Sequence, residues 1–264
     1  MKFGFIGCGN MASAIIGGAL EKNILAKEDI LASVKSEASV KKVEDKLGIR
    51  CTRDNIQVAQ EADYLFLAVK PQFCAQVAEE IKGIQKEGQV MVSILAGKNI
   101  AWLKEQFGET KKIIRTMPNT PALVGEGFTA VCPDSLVSQE ELQLVMKLLC
   151  SFGKAQLVTE PILDIIGAVS GSSPAFVFMF IEALADGAVA EGMPRKQAYE
   201  AAAQAVLGSA KMVLETGLHP GALKDMVCSP AGTTIEGVNV LEKEGMRSAV
   251  MDAVRACISK TKKL

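Results

Sequence analysis

The chain has 264 residues, 49% of them hydrophobic and 22% charged, with a net charge of −1. That is an ordinary globular composition with material for one large or two modest cores. The near-zero charge excludes bulk attraction to nucleic acid or to an anionic membrane surface.

The N-terminus reads K-F-G-F-I-G-C-G-N-M-A, a hydrophobic run entering a glycine turn and then a helical pattern. Gly7, Gly9 and Ala12 match the dinucleotide-binding spacing G-x-G-x-x-A. Gly7 permits the tight turn, Gly9 lets backbone approach a pyrophosphate, and Ala12 lets the helix lie close to the sheet. The first free N–H groups of the helix would face the phosphates. With the strand before it and Ile15, Ile16, Ala19 and Leu20 after it, the motif has the context it requires.

Short β-rich runs then alternate with helical ones. Strands are expected at 3–7, 30–33, 49–52, 64–69, 90–95 and 112–116, with two more at 125–133 and 155–158. Helices are expected at 11–22, 37–47, 55–61, 73–82, 100–107 and 139–150. This rhythm predicts an α/β Rossmann domain with a mostly parallel, doubly wound sheet over residues 1–159. Beyond Val158 the strand-like runs stop, and 160–264 reads as an all-α second domain, clearest at 174–191, 195–216 and 233–243. The helix from Pro174 is apolar on most faces, which predicts burial against a second copy, hence a homodimer. Ala175–Ile181 is its most apolar run, but Glu182 and Asp186 end it short of a membrane span.

The strand at 30–33 is followed by Val34, Lys35 and Ser36, where NAD-preferring domains place an acidic residue against the ribose. Ser33, Lys35 and Ser36 suit a 2′-phosphate, so NADPH is expected over NADH. The strand ends carry A-V-K-P-Q (68–72) and M-P-N-T-P (117–121). Ligands of open α/β sheets bind at such ends, so Lys70 and Asn119 are cofactor-facing candidates, with loop shaping as the alternative.

Seven cysteines are scattered singly, without C-x-x-C pairs, which argues against zinc or disulfides and for a reducing, cytoplasmic setting. No metal-ligand motif is present. The only histidine, His219 in L-H-P-G, reads as a turn into a helix rather than a catalytic base. Two hydroxyl- and glycine-rich knots remain, V-S-G-S-S-P-A (169–175) and C-S-P-A-G-T-T-I-E-G (228–237). Each reads as a helix start with converging N–H groups and hydroxyls that would suit a small carboxylate. Plain N-capping, by Ser172 or Ser173 and by Thr233, is the simpler alternative. Ser229, Gly232, Thr233 and Thr234 together exceed what one cap requires.

With these motifs in hand, the chain resembles the pyrroline-5-carboxylate reductases nearly end to end. The block H-P-G-A-L-K-D-M-V-C-S-P-A-G-T-T-I-E-G is the most specific part. The resemblance implies NADPH-dependent reduction of a cyclic imine carboxylate, the last step of proline biosynthesis, in a dimer that often assembles to a decamer. It implies backbone contacts from Asn10 and Met11 to the pyrophosphate, Ser33 near the 2′-phosphate and Asn55 near the adenosine ribose. Ala68, Lys70 and Pro71 would lie by the nicotinamide. Gly232, Thr233 and Thr234 would cradle the substrate carboxylate, with the Thr234 hydroxyl nearest the ring nitrogen. Two positions depart from the family pattern, Ser173 and Ala231, where glycine is usual. The alternatives are a 3-hydroxyacid dehydrogenase, whose G-x-x-x-K-x-x-x-N lysine is missing from 167–176, and a non-catalytic dinucleotide sensor.

Overall fold

A computed structural model describes residues 1–263. The elements in chain order are β1 (Phe3–Ile6), α1 (Asn10–Glu21), β2 (Ile30–Ser33), α2 (Glu37–Leu47), β3 (Arg50–Thr52) and α3 (Asn55–Glu61). They continue with β4 (Tyr64–Leu67), α4 (Cys74–Ile81), β5 (Val90–Ser93), α5 (Ile100–Phe107), β6 (Lys112–Met117), β7 (Gly127–Pro133), α6 (Gln139–Leu149) and β8 (Gly153–Leu157). Helices follow: α7 (Glu160–Ile166), α8 (Ser173–Ala190), α9 (Arg195–Thr216), α10 (Pro220–Val227), α11 (Thr233–Lys243) and α12 (Met246–Thr261).

The strands form one sheet in the order β3-β2-β1-β4-β5-β6-β7-β8, parallel at every pairing except β6 with β7. This is the mostly parallel, doubly wound sheet expected from the alternating pattern. Strands β1, β2, β4 and β5 are buried throughout, as central parallel strands covered on both faces must be. One face packs Phe5, Ile15 and Phe66 under α1 and α6, with the Phe5 and Phe66 rings stacked 4.5 Å apart. The other packs Leu65, Leu67 and Val77 under α3 and α4. Strand order reverses at β1, between β2 and β4, and the carboxyl ends there open the crevice that holds ligands in such sheets.

The chain divides into two compact units, Met1–Ser172 with the C-terminal residues from Cys257, and Ser173–Ala256. The first therefore runs past the expected break at 159. The cause is α7, whose Leu163 is fully buried with Met117, Ala130 and Cys132. Arg115 on β6, only 1% exposed, fixes the same helix by donating to Glu160 Oε1 at 3.1 Å and Asp164 Oδ1 at 2.6 Å.

The first hydroxyl-rich knot is not the helix start expected from its sequence. Residues Gly167–Ser172 form a π-helical turn, and helix is continuous from Glu160 to Ala190. Its N–H groups therefore lie within a continuous helix, α8 follows directly on the π turn at Ser173, and neither Ser172 nor Ser173 caps a free helix start. The wider turn accommodates Pro174, which would otherwise clash with the preceding turn. Pro174 also leaves the Ser170 carbonyl without its i+4 donor, and Asn119 Nδ2 donates to that oxygen at 3.0 Å. The same 31-residue stretch, with mean hydropathy 1.6 over its most apolar window, is long enough to cross a membrane by length and composition alone. The apolar run is thus less short than it reads in isolation.

In the second unit α8 and α9 pack through small residues, Ala185, Ala198 and Ala202. Phe178, Met179, Leu207 and Leu214 remain between 55% and 68% exposed.

Candidate functional site

Gly7 leaves β1 at φ +90°, a conformation side chains resist, and a Cβ there would sit 2.6 Å from the Ala68 carbonyl oxygen. The first turn and the A-V-K-P-Q motif thus abut. Gly9 is different. A Cβ there would meet no protein atom within 4 Å, so packing does not demand glycine and the open side suits close approach of a ligand. Asn10 and Met11 then open α1 with Gly9 as N-cap, and their N–H groups lie in the first turn, where helical partners are lacking. The first turn carries no acidic residue that would repel a phosphate. Ala12 is buried against the sheet, as the motif requires.

Five expected residues, Gly7, Gly9, Ser33, Lys35 and Asn55, line one cavity of about 260 Å³ at the crevice. Val69, Phe73 and Val77 supply its apolar wall. Ser33 is buried and donates its hydroxyl proton to Asn55 Oδ1 at 2.6 Å, while Asn55 Nδ2 donates to Glu80 at 2.8 Å. Asp54 caps α3 through Ile56 N and Gln57 N, which holds Asn55 in place.

Arg53 also lines this cavity and escapes a reading confined to the end of β2. Its Nε donates to the Lys35 carbonyl at 3.3 Å and its Nη1 to Glu37 at 3.4 Å. The signal was present in T-R-D-N, but only the pairing of β2 with β3 brings that loop beside Lys35. Two cations, Lys35 after β2 and Arg53 after β3, fit a 2′-phosphate, and the residues present fit the dinucleotide.

Other expected residues lie outside that lining. Lys70 is exposed and precedes the turn Pro71–Phe73, while Ala68 contacts Gly7. Both polar ends of Asn119 are engaged within the protein: besides its bond to Ser170, its Oδ1 accepts from Phe128 N at 2.8 Å. The side chain braces the loop after β6, the shaping alternative raised above.

Burial pushes the Cys8 thiol up despite a nearby Ser13 hydroxyl, and pushes Cys51 and Cys74 to about 11. These are protonated small side chains rather than nucleophiles. Among the described residues no group of His, Cys, Asp or Glu could hold a metal ion. His219 caps α10, its Nδ1 accepting from Gly221 N at 3.0 Å.

In the second unit Ser229, Gly232, Thr233 and Thr234 do come together. Gly232 N donates to the Ser229 carbonyl at 3.0 Å, closing a turn with Pro230 and Ala231 at its centre. Ala231 has φ +56°, the left-handed value that a type II turn demands at this position and that glycine normally supplies. A Cβ at position 232 would collide with Ser229 Oγ. Helix α11 begins at Thr233, with Gly232 as N-cap, so Thr233 is not the cap. Both threonines are exposed in the first turn, where N–H groups and hydroxyls can receive an anion.

A family model described as pyrroline-5-carboxylate reductase dimerisation matches residues 160–264, and one described as NADP oxidoreductase, coenzyme F420-dependent, matches 2–97. The pyrroline-5-carboxylate reductase of Escherichia coli strain K12 is 51% identical over 100% of this chain and 98% of its own length. That of Methanosarcina acetivorans is 44% identical over 100% and 97%. The crystal structure of Plasmodium falciparum pyrroline carboxylate reductase with NADP bound superposes with a TM-score of 0.91 at 34% identity, covering 100% of this chain and 97% of the other. Full-length likeness of this degree settles the relationship, and the chain belongs to the pyrroline-5-carboxylate reductase family.

Proposed function

We propose that this chain reduces 1-pyrroline-5-carboxylate to L-proline, using NADPH as hydride donor. The observation that carries the reading is the exposed turn and helix start at Ser229–Thr234, present in the same chain as the Gly7–Gly9 dinucleotide turn. A sensor needs only the second. The dehydrogenase alternative needs a lysine that 167–176 lacks.

When bound, the nicotinamide supplies a hydride to the imine carbon. The chain's own residues do the rest. Gly7, Gly9, Asn10 and Met11 hold the pyrophosphate, while Ser33, Lys35, Arg53 and Asn55 hold the phosphorylated adenosine end. Ala68, Lys70 and Pro71 border the nicotinamide side. Ser229, Gly232 and Thr233 receive the carboxylate at a helix start. The positive charge of the protonated imine draws the hydride to the adjacent carbon, and the Thr234 hydroxyl donates to the lone pair that develops on the ring nitrogen as the hydride arrives. The product amine keeps the proton that the imine took from solvent, so no strong acid is required of the protein.

Residues 160–264 form the dimerisation and substrate region in this reading, with the exposed apolar side chains of α8 and α9 covered by a second copy. Dimers assemble further into a decamer, and seven unpaired thiols suit the cytoplasm. Loss of NADPH absorbance on adding pyrroline-5-carboxylate, and not on adding a 3-oxo acid, tests the activity. Light scattering tests the assembly.

A further inference from the structure

The Lys35 ammonium lies 3.4 Å from the centroid of the Phe73 ring. Lys35 leaves the end of β2, whereas Phe73 ends the turn after β4, and β1 runs between those strands. The side chain therefore reaches across the crevice above the Gly7–Gly9 turn. Both residues line the same cavity as Gly9, Val69, Gln76 and Val77.

We propose that Lys35 and Phe73 form a cation–π latch over the adenosine end of this cleft, one whose opening a 2′-phosphate compensates and an unmodified ribose does not. The inference rests on the reading of the cleft as a dinucleotide site. The Phe73 ring is part of the apolar wall on which a purine would pack, and the ammonium occupies that face. A purine taking the same place displaces the ammonium. With NADPH the displaced cation meets a phosphate, a stronger partner than the ring. With NADH it meets none, so the lost cation–π contact counts against binding. Arg53 is the stationary cation of the pair, held by the Lys35 carbonyl and Glu37. Lys35 supplies discrimination twice, by attracting the phosphorylated cofactor and by obstructing the other. A lysine that only anchored phosphate would leave NADH binding untouched by its removal.

Isothermal calorimetry on the full-length protein, without substrate, separates these cases. An exposed cation–π contact corresponds to about a two- to fivefold change in affinity. Lys35→Met is expected to weaken NADPH binding while tightening NADH binding by about two- to fivefold. In a Phe73→Leu background, the same Lys35→Met change is expected to leave NADH affinity unaltered. Unchanged or weaker NADH binding in Lys35→Met overturns the latch, as does an equal NADH gain in both backgrounds. If the wild-type protein binds neither dinucleotide, the cleft assignment itself falls, a result distinct from the other two.

Discussion

Replacing Arg115 with methionine is expected to destabilise the sheet-bearing unit by about 2–4 kcal/mol. The guanidinium is fully buried and makes two charge-assisted hydrogen bonds to α7, at 3.1 Å to Glu160 and 2.6 Å to Asp164. Bonds of that kind contribute about 1.5–3 kcal/mol each, which sets an upper range of about 3–6 kcal/mol. Two features reduce it. The Glu160 and Asp164 side chains are 29% and 34% exposed, so both recover hydration once the cation is gone. The Arg115 Nε is buried without a partner, a defect that methionine removes. For a chain of this size, each kcal/mol moves the melting temperature by about 2–4 °C. Calorimetric melting of wild type and variant at one fixed protein concentration should show a drop of roughly 5–15 °C. Glu160→Gln is the milder control, because its amide oxygen can still accept from Ile100 N, now 2.7 Å from Oε1. A variant Arg115→Met melting within about 1 °C of wild type would refute the claim that this cluster holds α7 to the sheet.

Thr234→Ala should lower kcat/KM about ten- to a thousandfold, or roughly 1.4–4 kcal/mol of transition-state stabilisation, with full activity removing the proposed role. Ala231→Gly should relieve about 1–2 kcal/mol of left-handed strain, offset by about 0.4–1 kcal/mol of added unfolded-state freedom. A small net gain is expected in denaturant titration, and a loss would contradict the turn geometry. Lys35→Glu should raise KM for NADPH about ten- to a hundredfold without raising that for NADH, since a charge-assisted contact of about 1.5–3 kcal/mol is lost and reversed. Partial burial of Glu141 opposes its ionisation, but the Lys112 ammonium at 2.6 Å and Ser138 N–H outweigh it and hold the carboxyl below its usual range. A depressed folded value means the pair stabilises above the unfolded carboxylate pKa of about 4.3, and that stability is lost as pH falls through the folded value. Melting temperatures of wild type and Glu141→Gln should therefore converge as the pH falls below the unfolded carboxylate value.

The Rossmann sheet was legible because its strands are short apolar runs between turn signals, and most of their observed ends fall within a residue or two of those expected. The dinucleotide turn was legible for the same reason that it works: Gly7 needs positive φ and Gly9 needs an open side. Helix α7 was missed although Thr159, Glu160 and Pro161 carry a helix-start signature. The glycines and serines just beyond it read as the start of a separate helix, which hid the continuity. Nothing local announces a π turn. It is stabilised by the missing N–H of Pro174 and by Asn119, a residue remote in sequence. Helix α12 lacks an apolar stripe strong enough to mark it, since none of its residues is buried in the single chain. Arg53 illustrates the general limit. Its type and loop were visible, but its neighbour Lys35 is set by strand order, which no local pattern states.

One chain both holds NADPH and presents a cyclic imine carboxylate to its hydride in the proposed reaction. The most direct measurement follows NADPH consumption and proline formation together, with pyrroline-5-carboxylate supplied to the purified protein. One proline is expected for each NADPH oxidised, with no oxidation on a 3-oxo acid. Bound NADPH with no turnover of the imine, or turnover of the oxo acid instead, would contradict the proposed reaction.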